Sequence, residues 1–145
     1  MSGIFIISSL YFYSNWDNLN FNIKIIGFLL WFCQNFFFLI SSVINPGTPN
    51  IEYYLENYDL NKTKVKNFRI CSKCKLVMDL NQGTEHCNEC DICIMKINHH
   101  CSLISKCIGI GNLYYFYCFI AFSIFYILFF VYCFFFYLDF FLFKF

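Results

Sequence analysis

The chain has 145 residues, of which 59% are hydrophobic, 24% aromatic and only 13% charged, with a formal net charge of +1. This composition excludes an ordinary soluble globular domain and points to a membrane protein. The near-neutral balance excludes a general binder of polyanions, so no nucleic-acid partner is expected.

In chain order, Gly3 to Tyr13 is apolar but short and lacks a basic n-region, which argues against a signal peptide. It reads as the remnant of a spanning helix or as an interfacial anchor, with Tyr13 and Trp16 at headgroup depth. Together with a luminal loop it makes up residues 1–24. Residues 25–44 form an almost uncharged apolar run, and about 20 helical residues cross a bilayer core of about 30 Å. Asn45-Pro46-Gly47 ends this run with two breakers. A polar linker is expected over 45–70, a cysteine-rich domain over 71–112, a second span over 113–138 and a tail over 139–145. Eight of the ten Lys and Arg lie between Pro46 and Asn112: Lys62, Lys64, Lys66, Arg69, Lys73, Lys75, Lys96 and Lys106. The positive-inside rule therefore assigns that segment to the cytosol. The fold class expected is an α-helical multi-pass membrane protein carrying a small, zinc-stabilised cytosolic domain of short strands and loops.

Seven of the ten cysteines and all three histidines fall between Cys71 and Cys107. The cluster's cysteine count is odd, its histidines interleave at ligand spacing, and its expected side is the reducing cytosol. Metal is therefore favoured over a disulfide scaffold. Structural zinc takes four Cys or His ligands, so two sites consume eight of these residues and leave two over. If six Cys and two His bind metal, the remainder is one Cys and one His, the pair a thiolate nucleophile needs. The apolar content of the segment is too small for a conventional core, so metal is expected to supply its folding energy. Cys33, Cys118 and Cys133 lie in the apolar runs and read as small buried hydrophobes.

The run His86-Cys87-x2-Cys90-x2-Cys93-x4-Asn98-His99-His100-Cys101-x5-Cys107-Ile108-Gly109-x2-Asn112 resembles the cysteine-rich domain of DHHC-type protein S-acyltransferases (palmitoyltransferases). Asn45-Pro46-Gly47 is similar to that family's Asp-Pro-Gly motif after its second membrane helix. The resemblance implies two interleaved structural zinc sites, one of Cys71, Cys74, His86 and Cys93 and one of Cys87, Cys90, His100 and Cys107. It implies Cys101 as the nucleophile, His99 as its base and Asn98 as the orienter of His99. It further implies acyl-CoA as acyl donor and cysteine-containing proteins at the cytosolic membrane face as acceptors. The bilayer is the surrounding partner, an accessory subunit remains open, and the Golgi or endoplasmic reticulum is the expected compartment. Alternation along an extended strand would turn His100 into a zinc site and His99 with Cys101 the other way.

Several positions depart from the family pattern. Asn98 stands where the family has Asp, Ser102 and Leu103 where it has Pro and Trp, and Lys106 where it has Asn. The interval from Cys74 to His86 is longer than usual, and Met78-Asp79-Leu80-Asn81 replaces a basic-Pro stretch. The family has at least four spans with a Thr-Thr-x-Glu motif beyond the fourth. The resemblance therefore implies a fragment or a degenerate member. The alternative function is a catalytically weak member acting as a membrane scaffold or partner subunit. A RING-like finger would use eight ligands and leave the adjacent His99-His100-Cys101 triple unexplained.

Overall fold

The computed structural model describes residues 19–49, 68–79 and 83–142. The apolar N-terminal stretch with Tyr13 and Trp16, the linker lysines Lys62, Lys64 and Lys66, and Lys144 lie outside the described residues. Helix α1 spans Phe21–Val43 and helix α2 Leu113–Leu142. Between them lie six short strands: β1 (Phe68–Ile70), β2 (Val77–Asp79), β3 (Glu85–Cys87), β4 (Ile92–Ile94), β5 (His99–Cys101) and β6 (Lys106–Ile108).

Both helices are long and apolar enough to cross a membrane. α1 begins at Phe21, ahead of the apolar run that starts at Ile25. The reason is local: the Asn20 side chain accepts from the Asn22 N–H at 3.2 Å, capping a helix that starts in polar sequence. α2 likewise continues to Leu142, beyond Leu138.

The chain divides into two units. One takes α1 through Phe38 and α2 from Tyr117, and the other takes Leu39–Phe116. In the first, aromatic rings join the helices: Phe37 stacks on Phe122 at 5.4 Å between centroids, and Phe38 meets Phe119 at 5.5 Å. Phe119, Ser123, Tyr126 and Cys133 are buried on α2 and Gln34 on α1. Ser123 returns its hydroxyl to the Phe119 carbonyl at 2.7 Å, which satisfies it within its own helix, as an apolar medium requires. Phe28, Phe32, Phe36 and Leu39 of α1 and Ile124, Phe125 and Leu128 of α2 are exposed. A water-soluble bundle would not leave such rings outside, whereas a bilayer covers them.

The second unit is built from three antiparallel two-stranded ribbons, β1–β2, β3–β4 and β5–β6. Each ribbon turns through a short loop whose last or penultimate residue is left-handed: Lys75 (φ 57°), Asp91 (φ 53°) and Ser105 (φ 51°). Three-residue strands are below the length at which a ribbon is stable alone. Its two buried clusters consist mostly of cysteines: Cys71 and Cys93 with Met78 in one, Cys87 and Cys107 with Ile94 in the other.

Within this unit the Asn45-Pro46-Gly47 turn ties the last turn of α1 to the ribbons. The Asn45 side-chain oxygen accepts from Gly47 N at 2.8 Å and Thr48 N at 2.9 Å, which curls the chain back. Gly47 takes φ +106°, open to glycine and strained for other residues. Its carbonyl then accepts from Met95 N at 2.8 Å, and the Pro46 carbonyl accepts from Gly111 N at 3.1 Å. Gly109 and Gly111 lie so close to the Pro46 and Asn45 carbonyls that a Cβ at either position would collide with backbone. Asn112, fully buried, donates to Ser41 O at 3.1 Å and Cys107 O at 3.0 Å and accepts from Gly109 N at 3.0 Å. Lys106 donates to the Ser42 and Val43 carbonyls at 2.9 and 3.1 Å. The last carbonyls of a helix lack intrahelical partners and carry its negative dipole end, so an ammonium there satisfies both needs.

Candidate metal centres and active site

Strand alternation sorts the ligands. On β3, His86 and Cys87 are neighbours and face opposite sides of the ribbon. His86 pairs across to Cys93 on β4, and on the third ribbon His100 pairs across to Cys107. Directly opposed residues hold their Cβ atoms about 4.5–5.5 Å apart, within reach of one shared ion. Cys71 and Cys74 close on His86 from the β1–β2 loop, while Cys90, in the β3–β4 turn, closes with Cys87 on His100. The quartets formed are Cys71, Cys74, His86, Cys93 and Cys87, Cys90, His100, Cys107, each with its ligand atoms within 4.8 Å of one another. The β3–β4 ribbon contributes to both, so the two centres interleave.

The distances suit a tetrahedral ion. Zn–S of about 2.3 Å and Zn–N of about 2.0–2.1 Å give tetrahedral edges of about 3.5 Å for S···N and 3.8 Å for S···S. In the first centre, His86 Nδ1 lies 3.5, 3.3 and 3.8 Å from the sulfurs of Cys71, Cys74 and Cys93. In the second, His100 Nδ1 lies 3.7, 3.4 and 3.6 Å from those of Cys87, Cys90 and Cys107, and the Cys90 and Cys107 sulfurs are 3.4 Å apart. Both histidines therefore present Nδ1. Three soft thiolates and one imidazole in tetrahedral array are the donor set of structural zinc.

The thiols of each centre are driven apart in acidity. The Cys74 N–H pointing at its sulfur holds Cys71 below the usual thiol value, against the opposing effect of burial. Burial raises Cys87, but contacts from Cys107, the Cys90 and Glu89 N–H groups and His100 outweigh it and bring the thiol down to about 7. Burial, with the Cys71 and Cys74 sulfurs beside it, pushes Cys93 up to about 12. Burial and the Cys87 and Cys90 sulfurs raise Cys107 in the same way. A cation entering either centre must displace the proton from the raised thiol, so binding releases protons and acid reverses it. Metal occupancy is expected to fall as pH drops from about 7 to about 5. Counting zinc released to a colorimetric chelator as pH is lowered checks this, and release that is flat or rises with acid contradicts the ligand assignment.

With His100 turned to the second centre, alternation along β5 puts His99 and Cys101 on the opposite side, their Cα atoms about 6.7 Å apart at ordinary strand rise. Cys101 is buried at 6% exposure and His99 is exposed. His99 Nδ1 lies 2.7 Å from Asn98 Oδ1. An amide oxygen only accepts, so Nδ1 carries the proton and Nε2 keeps its lone pair. The imidazole also meets the Phe116 ring edge-on at 5.5 Å, in the first turn of α2. Among the described residues the polar contact of His99 is with Asn98, and none joins it to Cys101.

A DHHC palmitoyltransferase family profile matches residues 64–144, more than half of the chain. The chain belongs to the DHHC palmitoyltransferase family. Palmitoyltransferase ZDHHC2 of Rattus norvegicus is 39% identical to it over 60 residues, covering 41% of this chain and 16% of that protein. The Homo sapiens ZDHHC2 aligns with the same identity and coverage. Palmitoyltransferase ZDHHC15 of Homo sapiens is 37% identical over 60 residues, 41% of this chain and 17% of the relative. The matched part thus spans only a small fraction of the curated relatives. This family member is a membrane protein whose two apolar helices flank a cysteine-rich ribbon region with two sites able to hold metal.

Sequence reasoning missed three contributors. Asn112 was visible only as part of a motif, although an Asn directly before a helical run is a capping signal. Lys106 counted only as a departure from the family and as topogenic charge, yet it caps α1. Asp91 gave no signal beyond its position between two ligands.

Proposed function

We propose that the chain is a multi-pass, zinc-containing protein S-acyltransferase that moves a long-chain acyl group, palmitoyl above all, from acyl-CoA to cysteines of membrane-associated proteins. The cysteine-rich loop faces the cytosol, and the Golgi or endoplasmic reticulum is the compartment. The observation that carries this reading is the division of labour on β5: the ligand quartets use His100 and leave Cys101 with an oriented His99 on the other side. Zinc held by the two quartets would supply folding energy and fix the ribbons.

Cys101 Sγ, as thiolate, attacks the thioester carbonyl of acyl-CoA. A new C–S bond forms, the bond to the CoA sulfur breaks, and the CoA thiolate leaves with a proton. His99 Nε2 is the acceptor for the Cys101 proton and returns it to the leaving sulfur. The thiolate of an acceptor protein then attacks the Cys101 thioester, and the Cys101 sulfur leaves. Asn98 orients His99 but, being neutral, does little for the imidazolium. Base and nucleophile are separate in this state, and catalytic hydrogen bonds of this kind often tighten only with substrate bound. Contact of His99 with Phe116, at the start of a helix able to cross the membrane, suits a donor whose acyl tail is in lipid and whose nucleotide is in water.

The test is labelling with a palmitoyl-CoA analogue. Hydroxylamine-sensitive label on the purified chain, lost in Cys101→Ala with zinc retained, is the expected result. Absence of label on a folded, zinc-loaded chain favours the other reading, a scaffold or partner subunit, which the neutral Asn98 motivates. Equal label in the variant assigns acylation elsewhere and removes Cys101 as nucleophile.

A further inference from the structure

The two metal centres share a donor set but differ in what stands behind their histidines. His86 Nδ1 faces three sulfurs, so its Nε2 must carry the proton when Nδ1 binds a metal. That Nε2 is buried and makes no hydrogen bond. The carboxylate of Asp91 lies 3.3 Å from it, in contact but without hydrogen-bond geometry. Asp91 is exposed, so a small rotation of its side chain aligns the bond. The residue is held in place from several directions. Its backbone is left-handed (φ 53°) at the end of the β3–β4 turn. Its carbonyl faces the Cys74 sulfur at 3.9 Å, a second ligand of the same centre. Lys73 lies 3.8 Å from its carboxylate and is itself held by Asn88 at 3.3 Å. On the chain it directly follows Cys90, a ligand of the other centre.

We infer that Asp91 is the outer-sphere carboxylate of the first metal centre, orienting His86 and making that centre tighter than it would otherwise be; among the described residues no carboxylate pairs with His100 of the second centre. A carboxylate on the far nitrogen of a metal-binding histidine fixes its tautomer and ring plane and raises its basicity. Loss of such a partner typically costs about 10–100-fold in metal affinity. Asp91 is thus a positioning residue, and substituting it separates two centres with identical donors. The inference rests on metal binding by the quartets and not on acyl transfer.

The experiment uses the full chain, zinc-loaded in detergent, exposed to graded chelator and then alkylated. Mapping the modified cysteines tells which centre has opened. In Asp91→Asn, Cys71, Cys74 and Cys93 become reactive at chelator concentrations about 10–100-fold lower than in the unsubstituted chain. Cys87, Cys90 and Cys107 react at unchanged concentration. Asp91→Glu, which keeps the carboxylate, retains most of the protection. A change within twofold in Asp91→Asn overturns the inference. So does equal weakening of both quartets, which means Asp91 only supports the turn, and so does failure of Asp91→Glu to restore protection. If neither quartet in the unsubstituted chain is protected by zinc, the metal reading itself falls, and this is distinguishable because no variant is needed to see it.

Discussion

Chelation of the metal is expected to unfold the region from Cys71 to Asn112 while leaving α1 and α2 helical. The reason is the make-up of that region. Its strands have three residues each, and its buried clusters consist chiefly of Cys71, Cys93, Cys87 and Cys107, with Met78 and Ile94. Among its described residues, four other than glycine, Lys75, Asp91, Lys96 and Ser105, hold positive φ. Such conformations cost on the order of 1 kcal/mol or more each and persist only when the surroundings impose them. A structural zinc site contributes about 10–16 kcal/mol of apparent binding energy at neutral pH, most of it coupled to folding. The helices need no such support, because all their backbone bonds are internal and a bilayer or detergent covers their exposed rings. Chelator should therefore make the six ligand cysteines alkylable and the region protease-sensitive, with little loss of helical circular dichroism. Cys107→Ser should do the same for the second quartet first. Thiols that stay protected after zinc is gone would mean that packing alone holds the ribbons.

Asn98→Asp is expected to raise the rate of acyl-enzyme formation at Cys101 by about tenfold or more, within the range over which general-base catalysis acts. Both side chains present an oxygen to His99 Nδ1, at 2.7 Å in this chain. Both fix the same tautomer, but only the carboxylate balances the charge His99 gains when it takes a proton. Serine hydrolases suffer about 10^4-fold when their Asp becomes Asn, whereas papain-like thiol proteases work with Cys, His and Asn. The thiol route tolerates a neutral partner because the thiolate forms more readily. Asn98→Ala removes the orienting oxygen as well and should fall below the unsubstituted chain. Burst rates with a palmitoyl-CoA analogue, at matched zinc content, order the three. Equal rates for Asn98→Asp and the unsubstituted chain would mean that His99 carries no charge in the rate-determining step.

Much of the architecture was legible because it rests on local quantities. Length and apolarity mark the two helices, although the Asn20 cap moves the start of α1 to Phe21. Ligand chemistry marks Cys71 to Cys107 as a metal region, and counting donors already isolates one Cys and one His. Only a family resemblance said which residues those are and how the rest divide. Alternation on β3 turns His86 and Cys87 to opposite centres, but which cysteines of the other ribbons close on each is a property of three ribbons together. The same holds for the Asn45-Pro46-Gly47 turn. From sequence it reads as the end of a helix, but in the fold its carbonyls accept from Met95 and Gly111, and it requires the glycines at 109 and 111.

By itself the sequence determined the solvent this chain prefers, the number of apolar helices in its described part, the metal-binding character of its polar segment and the family to which it is similar. These follow from composition, run length and donor type, each readable within a short window. Tertiary structure alone decided that Asn98 reaches Nδ1 of His99, that Lys106 and Asn112 satisfy the carbonyls at the end of α1, and that Asp91 stands behind His86. Those contacts depend on distances of a few ångströms between residues up to 71 positions apart. Only the folded chain sets such distances.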